Sequence, residues 1–409
     1  MKKIWKGLLA LTMACISVFS FTACEEEDFY TILDEILGML GEMTQPVDSD
    51  KENSESEESL SGFENSESEE SLSGSEDSES EEKLPVEDII TEELSIHFLE
   101  LGNKYTGDCT LIKTGDTEIL IDAGSRKGSA ATIVPYVQKY CTDGVLEYVI
   151  ATHAHQDHIA GFVGTTKAPG VLESFVCETI IDYPLTNATS AIKEDYEALR
   201  DAEVAQGAKH YTALECWNET NGAKRTYELA ENITLNILYQ RFYEETTSDE
   251  NDYSVCVMLT QGTKNYLFTG DLEKEGEESL VESNKLPKCE LFKGGHHGSP
   301  TSNTAALFAK IQPEIVCVCC CCGSDEYTDN VANMFPSQAF VNNVAPYTDR
   351  VYVTTIVSDN KDGYESMNGN IVIASDGETV NVVCSNNDLK FKDTAWFKAN
   401  RILPDAWRD

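Results

Sequence analysis

The sequence is poor in positive charge. It has 30 Lys and Arg against 72 Asp and Glu among 409 residues, a formal net charge of −42. This balance argues against a protein that binds nucleic acid through a basic face. The chain is still 41% hydrophobic, which excludes a fully disordered protein. Its length allows one large domain or two medium-sized ones.

The N-terminal apolar run, Leu8 to Phe21, is too short for a typical membrane span. Three lysines precede it and Ala23-Cys24 follows it, which predicts an export signal over residues 1–23. The segment resembles a bacterial lipoprotein signal, with Phe21 where Leu is preferred, and the resemblance implies that Cys24 is lipidated. Ordinary cleavage after Ala23 is the alternative. We expect an exported protein anchored to the outer face of the cytoplasmic membrane, with no protein partner inferable.

Residues 24–90 are predicted to be an acidic tether rich in Ser and Glu. Residues 25–90 contain 24 Asp and Glu but only two Lys. A repeat of twelve, ENSESEESLSGF in its first copy, runs from Glu52 to Glu87. Such repeats bury too little apolar surface to offset chain entropy. The tether therefore accounts for 22 negative charges, and residues 91–409 keep a charge of −23.

Short apolar strands cluster in each half of the remaining chain, with helical patterns between them. This arrangement predicts an α/β fold of two sheets covered by helices. Composition does not break within residues 91–385, so we expect one domain there. Residues 386–409 contain Trp396, Phe397, Ile402 and Trp407 and are predicted to be a C-terminal extension that packs on this domain.

The residues 152–158 read THAHQDH, in a chain that has only seven His. His153 and His155 alternate on one face of an extended segment, and Asp157 and His158 follow where a turn or helix begins. Imidazole and carboxylate groups at this spacing serve two adjacent divalent cations, typically Zn. A polar loop with satisfied histidines is the alternative, and it fits this concentration of ligands poorly.

Residues 153–158 resemble the HxHxDH signature of the metallo-β-lactamase fold hydrolases. Supporting motifs follow in the family's order: LIDAG at 120–124, FTGD at 268–271 and GHHGS at 295–299. The resemblance implies a sandwich of two mixed β-sheets packed face to face, with helices on both outer sides. It covers nearly all of residues 91–385.

The segments IHFLELG at 96–102, GDC at 107–109 and NDYSV at 251–255 narrow the resemblance further. They are similar to the extracellular hydrolase domain of ComEC-type competence proteins and its stand-alone relatives. Surface phosphorylcholine esterases share a similar layout. β-Lactamases of this fold have a third His or a Cys between the HxHxDH motif and the Asp that bridges the two metals, which matches Asp271 here. In this sequence His210 is the only histidine between His158 and Asp271, and we interpret it as a surface or edge residue. His97 is predicted to pack in the core.

The resemblance also implies a ligand set for two divalent cations, Zn or alternatively Mn. The predicted ligands are His153, His155, Asp157, His158, Asp271, His296 and His297. His153 and His155 would form the first site, completed by Asp271, water or substrate. If His296 ends a strand, only one of the adjacent histidines faces the second site.

Further roles follow from the motif positions. Asp157 and His297 are the predicted catalytic residues. The predicted substrate-binding residues are Ser299, Ser302, Lys293 and Asn251.

The chain has 14 Cys, five of them within Cys317–Cys322. Adjacent cysteines of a strand face opposite ways and cannot bridge without strain. Core packing is therefore the favoured interpretation, with a soft-metal or redox role and a disulfide left open.

Together these features predict an extracytoplasmic metal-dependent phosphodiesterase or nuclease. Its substrate would be a phosphoester in DNA, a nucleotide or a cell-wall polymer. One alternative is a phosphorylcholine-esterase-like hydrolase of a surface polymer, favoured by the acidic charge of the domain, which disfavours a long DNA groove. The other is a non-catalytic binding module with a degraded metal site.

Overall fold

The structure, a computed structural model, describes residues 93–408. The predicted signal, the tether and Cys24 lie outside the described residues. Within the described range, no helix is both long and apolar enough to span a bilayer.

The first sheet has eight strands. They are β1 (Leu94–Phe98), β2 (Thr110–Thr114), β3 (Thr117–Ile121), β4 (Val145–Ile150), β5 (Val176–Asp182), β6 (Lys209–Thr212), β15 (Ile371–Ser375) and β16 (Val380–Cys384). Their spatial order is β16-β15-β1-β2-β3-β4-β5-β6. Strands β3 to β6 are parallel neighbours and the other pairs are antiparallel.

The second sheet also has eight strands. They are β7 (Thr226–Ala230), β8 (Ile233–Leu238), β9 (Cys256–Gln261), β10 (Lys264–Phe268), β11 (Leu291–Lys293), β12 (Ile315–Cys322), β13 (Val351–Val357) and β14 (Tyr364–Ser366). They lie in the order β14-β13-β12-β11-β10-β9-β8-β7. Strands β10 to β13 are parallel, and the pairs outside them are antiparallel.

Residues 93–408 also contain nine α-helices, of which the first eight lie between strands and the last follows β16. They are α1 (Ala130–Tyr140), α2 (Gln156–Val163), α3 (Val171–Ser174), α4 (Ala191–Gln206), α5 (Ala213–Asn218), α6 (Lys274–Ser283), α7 (Ala305–Ile311), α8 (Gln338–Val344) and α9 (Ala395–Asn400). Parallel strands require such crossovers, and so each parallel set lies beside helices.

The two sheets share one hydrophobic core. Its buried residues come from both sheets, and the rings of Phe98 in β1 and Phe268 in β10 lie 6.3 Å apart. A second core joins the second sheet to helices α6 to α9. The predicted two-sheet sandwich with helices outside it is therefore confirmed.

The end of the described chain contributes to this second core. Phe391, Phe397 and Trp407 are buried in it, whereas Ile402 is 74% exposed. Each of the twelve cysteines within the described range is buried. Strand β12, which carries five of them, is buried along its whole length, in agreement with core packing.

Candidate metal centre

The predicted metal-binding motif lies where β4 meets α2. The strand ends at Ile150 and the helix begins at Gln156, so the first two histidines lie in the connecting loop. His155, the residue before the helix, keeps extended backbone angles (φ −71°, ψ 148°). Nε2 of His153 lies 3.0 Å from Nδ1 of His155, as their alternation on one face predicts.

His158 in the first turn of α2 is held from one side by Asp122. Nδ1 of His158 lies 2.8 Å from Oδ2 of this carboxylate, which also accepts hydrogen bonds from the backbone and hydroxyl of Thr152. On the other side, Nε2 of His158 lies 3.0 Å from Oδ2 of Asp271. An Nδ1–H donated to Asp122 leaves the Nε2 lone pair directed into the site, which is how metal-binding histidines are oriented.

Asp271 follows β10 at a tight turn. Its backbone N–H donates a 3.0 Å hydrogen bond to the hydroxyl of Ser254. The preceding Gly270 has a positive φ (55°), and a side chain there would meet Ser254 and Thr152. The turn therefore fixes the direction of the Asp271 carboxylate.

His297 faces the same point as His158. Its Nε2 lies 3.1 Å from Oδ2 of Asp271 and 3.4 Å from Oδ2 of Asp157, while its Nδ1 lies 2.9 Å from the carbonyl oxygen of Cys319. His296 is more distant, with Nε2 4.0 Å from Asp271.

The two histidines do not end a strand. Strand β11 stops at Lys293, and both histidines lie in the 3₁₀ turn Gly295–Gly298 with left-handed backbone angles (φ 45° and 54°). The expectation of opposite faces was based on strand geometry and does not apply here. The turn nevertheless separates them, because His297 is buried whereas the His296 side chain is 18% exposed.

The arrangement fits one divalent cation. Three ligand-type atoms, Nε2 of His158, Nε2 of His297 and Oδ1 of Asp271, are buried without a hydrogen-bond partner. The ligand atoms of a tetrahedral Zn site, with bonds of about 2.0–2.2 Å, lie roughly 3.4 Å apart. The 3.0–3.4 Å contacts among these residues and Asp157 match that spacing.

The first predicted site is less complete. Among the described residues, His153 and His155 belong to no group of three closely spaced ligand-type side chains. His210 lies in edge strand β6 with its Nε2 2.8 Å from Asp182, and so it does not supply the missing ligand. His97 is buried against Ser95 and Tyr136, as expected for a core histidine.

The pKa values of the site residues are set by burial and by the charged side chains next to them. Burial acts to raise the pKa of Asp157, but the neighbouring imidazoles of His297 and His158 hold it well below 3.8. Burial acts to lower the pKa of His158, but Asp271 and Asp122 raise it to about 10. The pKa of His153 lies well below 6.5 because of burial and its histidine neighbours. A cation at His158 therefore competes with a proton.

Asp108 is a site residue that the motif analysis missed. It groups closely with His158, Asp271 and His297, and its Oδ1 lies 3.2 Å from Nδ1 of His297. Its other oxygen forms an ion pair with the ammonium group of Lys293, which also lies 3.7 Å from Asp271. The motif GDC at 107–109 was the available signal.

The predicted substrate residues are all buried. Lys293 is paired with Asp108, and Ser299 lies 2.9 Å from the hydroxyl of Thr301. Nδ2 of Asn251 lies 3.4 Å from Glu273, and the hydroxyl of Ser302 has no hydrogen-bond partner. Their roles toward a substrate stay predictions.

A second missed residue lies on the open side of the site. Tyr327 is 52% exposed, yet its hydroxyl donates a 2.7 Å hydrogen bond to Oδ2 of Asp157.

Comparison with known proteins agrees with the resemblance seen in the sequence motifs. Residues 102–209 match the family model described as Metallo-beta-lactamase superfamily. The chain is 27% identical to Recombination protein 2 of Haemophilus influenzae over 218 residues, which are 52% of this chain and 23% of the relative. It is 25% identical to ComE operon protein 3 of Bacillus subtilis over 175 residues, 41% of this chain and 19% of the relative. The matches thus span about a quarter or less of these relatives.

Among solved structures, the metallo-beta-lactamase fold protein YhfI of Bacillus subtilis is similar, with a TM-score of 0.37 and 11% identity. That likeness covers 64% of this chain and 96% of YhfI.

Proposed function

We propose that the protein is a metal-dependent hydrolase of phosphodiester bonds, because a cluster of ligand-type side chains accompanies the match of residues 102–209 to the metallo-β-lactamase superfamily. One observation carries the proposal: Nε2 of His158 and Nε2 of His297 are buried, lack hydrogen-bond partners and face the Asp271 carboxylate together. Such atoms are costly to bury unless a cation or proton satisfies them.

Asp157, His158, Asp271 and His297 would hold the cation. A divalent cation there supplies a Lewis acid and a water nucleophile that is active near neutral pH. The surrounding chain orients the ligands through Asp122, the carbonyl of Cys319 and the hydroxyl of Ser254. A second cation would use His153 and His155 and take its remaining ligands from Asp271, water or the substrate, so it should bind more weakly.

The names of the similar proteins favour a phosphodiester over a lactam as the substrate. One relative, Recombination protein 2, is named for recombination, which favours a nucleic acid or nucleotide substrate. The net charge of −23 on residues 91–409 opposes a long groove for DNA. A short or small phosphodiester, including phosphorylcholine on a surface polymer, is therefore the second candidate.

The cellular location is also part of the proposal. The N-terminal sequence supports export and lipidation at Cys24, which would hold the catalytic domain outside the cytoplasmic membrane at the end of the acidic tether. Incorporation of a radiolabelled fatty acid tests this: we expect a labelled protein, and Cys24→Ala should abolish the label.

The activity is tested with chelator-treated full-length protein to which Zn or Mn is restored. We expect hydrolysis of bis-p-nitrophenyl phosphate, loss of it in Asp157→Ala, and retention in His210→Gln, which removes a histidine outside the site. Parallel assays with p-nitrophenyl phosphorylcholine and single-stranded DNA separate the two substrate candidates. Metal-loaded protein that cleaves none of the three would contradict the proposal and favour a binding module.

A further inference from the structure

The loop after β12 brings a tyrosine to the ligand site. Tyr327 lies 170 residues from Asp157 in the sequence, but its hydroxyl lies 2.7 Å from Oδ2 of that carboxylate. The same oxygen lies 3.4 Å from Nε2 of His297. Because half of Tyr327 is exposed, its phenol approaches the ligands from the solvent side.

The first part of this loop is attached to the rim of the site. The carboxylate of Glu326 accepts a 2.9 Å hydrogen bond from the backbone of Thr106 and forms a 2.6 Å ion pair with Arg126. The Arg126 guanidinium lies over the ring of Tyr105, 4.2 Å from its centroid. These contacts fix the residue next to Tyr327.

The second part is attached to the end of the described chain. Arg401 donates hydrogen bonds to the backbone carbonyls of three loop residues, Val331 (2.8 Å), Met334 (2.6 Å) and Pro336 (2.9 Å). Phe335 between them has its ring 5.5 Å from that of Tyr327 and 5.9 Å from that of His297. The phenol is thus held at the site from both ends of the loop.

Tyr327 belongs to neither hydrophobic core, and although its ring contacts Phe335 of the second core, half of the residue stays exposed. We propose that Tyr327 is a substrate-positioning residue whose hydroxyl donates a hydrogen bond to a non-bridging oxygen of a phosphoester anion in the site. This inference depends on the proposed function, since it assumes that a cation binds at Asp157 and accepts a phosphoryl oxygen. A phosphoryl oxygen that shared the cation with Asp157 would lie beside Oδ2, and the single O–H of Tyr327 would turn to it from Oδ2.

The test uses inorganic phosphate as the probe, so that it needs no turnover. Binding of phosphate to metal-loaded full-length protein is measured by calorimetry for the wild type, Tyr327→Phe and Tyr105→Phe. Tyr105 is the matched control, because it is an exposed tyrosine of the same rim whose own hydrogen bond is a backbone contact to Asn103. We expect Tyr327→Phe to weaken phosphate binding roughly 10- to 100-fold, the range for losing one hydrogen bond to a charged group.

A second measurement separates positioning of the anion from support of the metal ligand. Cation affinity, measured by competition with a chromophoric chelator, should fall less than phosphate affinity in Tyr327→Phe, although the variant also removes a hydrogen bond to Asp157. Glu326→Gln, which weakens the loop attachment but keeps the hydroxyl, should weaken phosphate binding to a smaller extent. Where bis-p-nitrophenyl phosphate is hydrolysed, Tyr327→Phe should raise KM more than it lowers kcat.

Unchanged phosphate binding in Tyr327→Phe would overturn the inference. So would a large loss of cation affinity with phosphate binding otherwise intact, because the tyrosine would then act only through Asp157. Phosphate binding that depends on Tyr327 in a protein without hydrolytic activity would support the inference and contradict the proposed function.

Discussion

Oδ2 of Asp122 lies 2.8 Å from Nδ1 of His158, and both side chains are buried. This hydrogen bond fixes the ring so that its other nitrogen faces Asp271. Partners of this kind typically contribute 10- to 100-fold to metal affinity. A substitution of Asp122 therefore tests how the orientation of His158 affects cation binding, while His158 itself stays in place.

We expect Asp122→Asn to lower cation affinity about 10- to 100-fold, because an amide does not hold the His158 ring as a carboxylate does. Competition with a chromophoric chelator measures this change. Asp182→Asn is the matched control, since Asp182 is equally buried and also lies 2.8 Å from a histidine, His210, outside the site. Equal losses in both variants would show that the effect is general destabilisation.

We expect His297→Ala to lose the bound cation and His296→Ala to retain it. Only His297 has a buried Nε2 close to both Asp157 and Asp271, while His296 is partly exposed and lies 3.2 Å from Glu273. Metal content after dialysis, measured by mass spectrometry, distinguishes the two variants. Loss of metal in His296→Ala alone would reverse the assignment.

Gly124→Ala should destabilise the protein by an amount at or above the upper end of about 1–3 kcal/mol typical of overpacking. A Cβ at this position would overlap the backbone carbonyl of Asp157, so the metal-binding loop would have to move. Gly128→Ala is the control, because a Cβ there has no atom within 4 Å. Urea unfolding measures both, and a neutral Gly124→Ala would contradict the close approach.

His97 should make the fold sensitive to acid. Burial, with a smaller contribution from the charge of Lys113, lowers its pKa from 6.5 to about 3. Between these values the unfolded chain takes up a proton that the folded protein does not, and so stability falls as the pH falls from about 6.5 to 3. At pH 5 this residue alone should cost about 2 kcal/mol relative to pH 7.5.

The measurement compares urea unfolding of metal-free wild type and His97→Gln at the two pH values. The variant should lose about 2 kcal/mol less than the wild type on acidification, whatever its stability at pH 7.5. Parallel pH dependences in the two proteins would show that His97 is protonated within the fold.

The sequence predicted the architecture well, because alternation and buried runs report directly on sheets. It also predicted that His153 and His155 lie on one face, because local spacing determines which of these side chains meet. It did not distinguish His296 from His297, since their left-handed turn begins two residues after β11 ends and no strand alternation extends to it.

Asp108 and Tyr327 were missed for a different reason. Asp108 joins the site through contacts with His297 and Lys293, far away in the sequence, and Tyr327 through a contact across 170 residues. Such contacts depend on how the two sheets pack together, which local pattern does not report. The burial of Lys293, predicted to contact substrate, follows from the same packing.

The location of the cation is the central claim, and anomalous diffraction from crystals of Zn-loaded protein at the Zn absorption edge tests it most directly. The account predicts a strong anomalous peak bounded by His158 Nε2, His297 Nε2 and the carboxylates of Asp157 and Asp271, with a weaker peak or none at His153 and His155. A peak only at His153 and His155, or no peak beside His297, would contradict it.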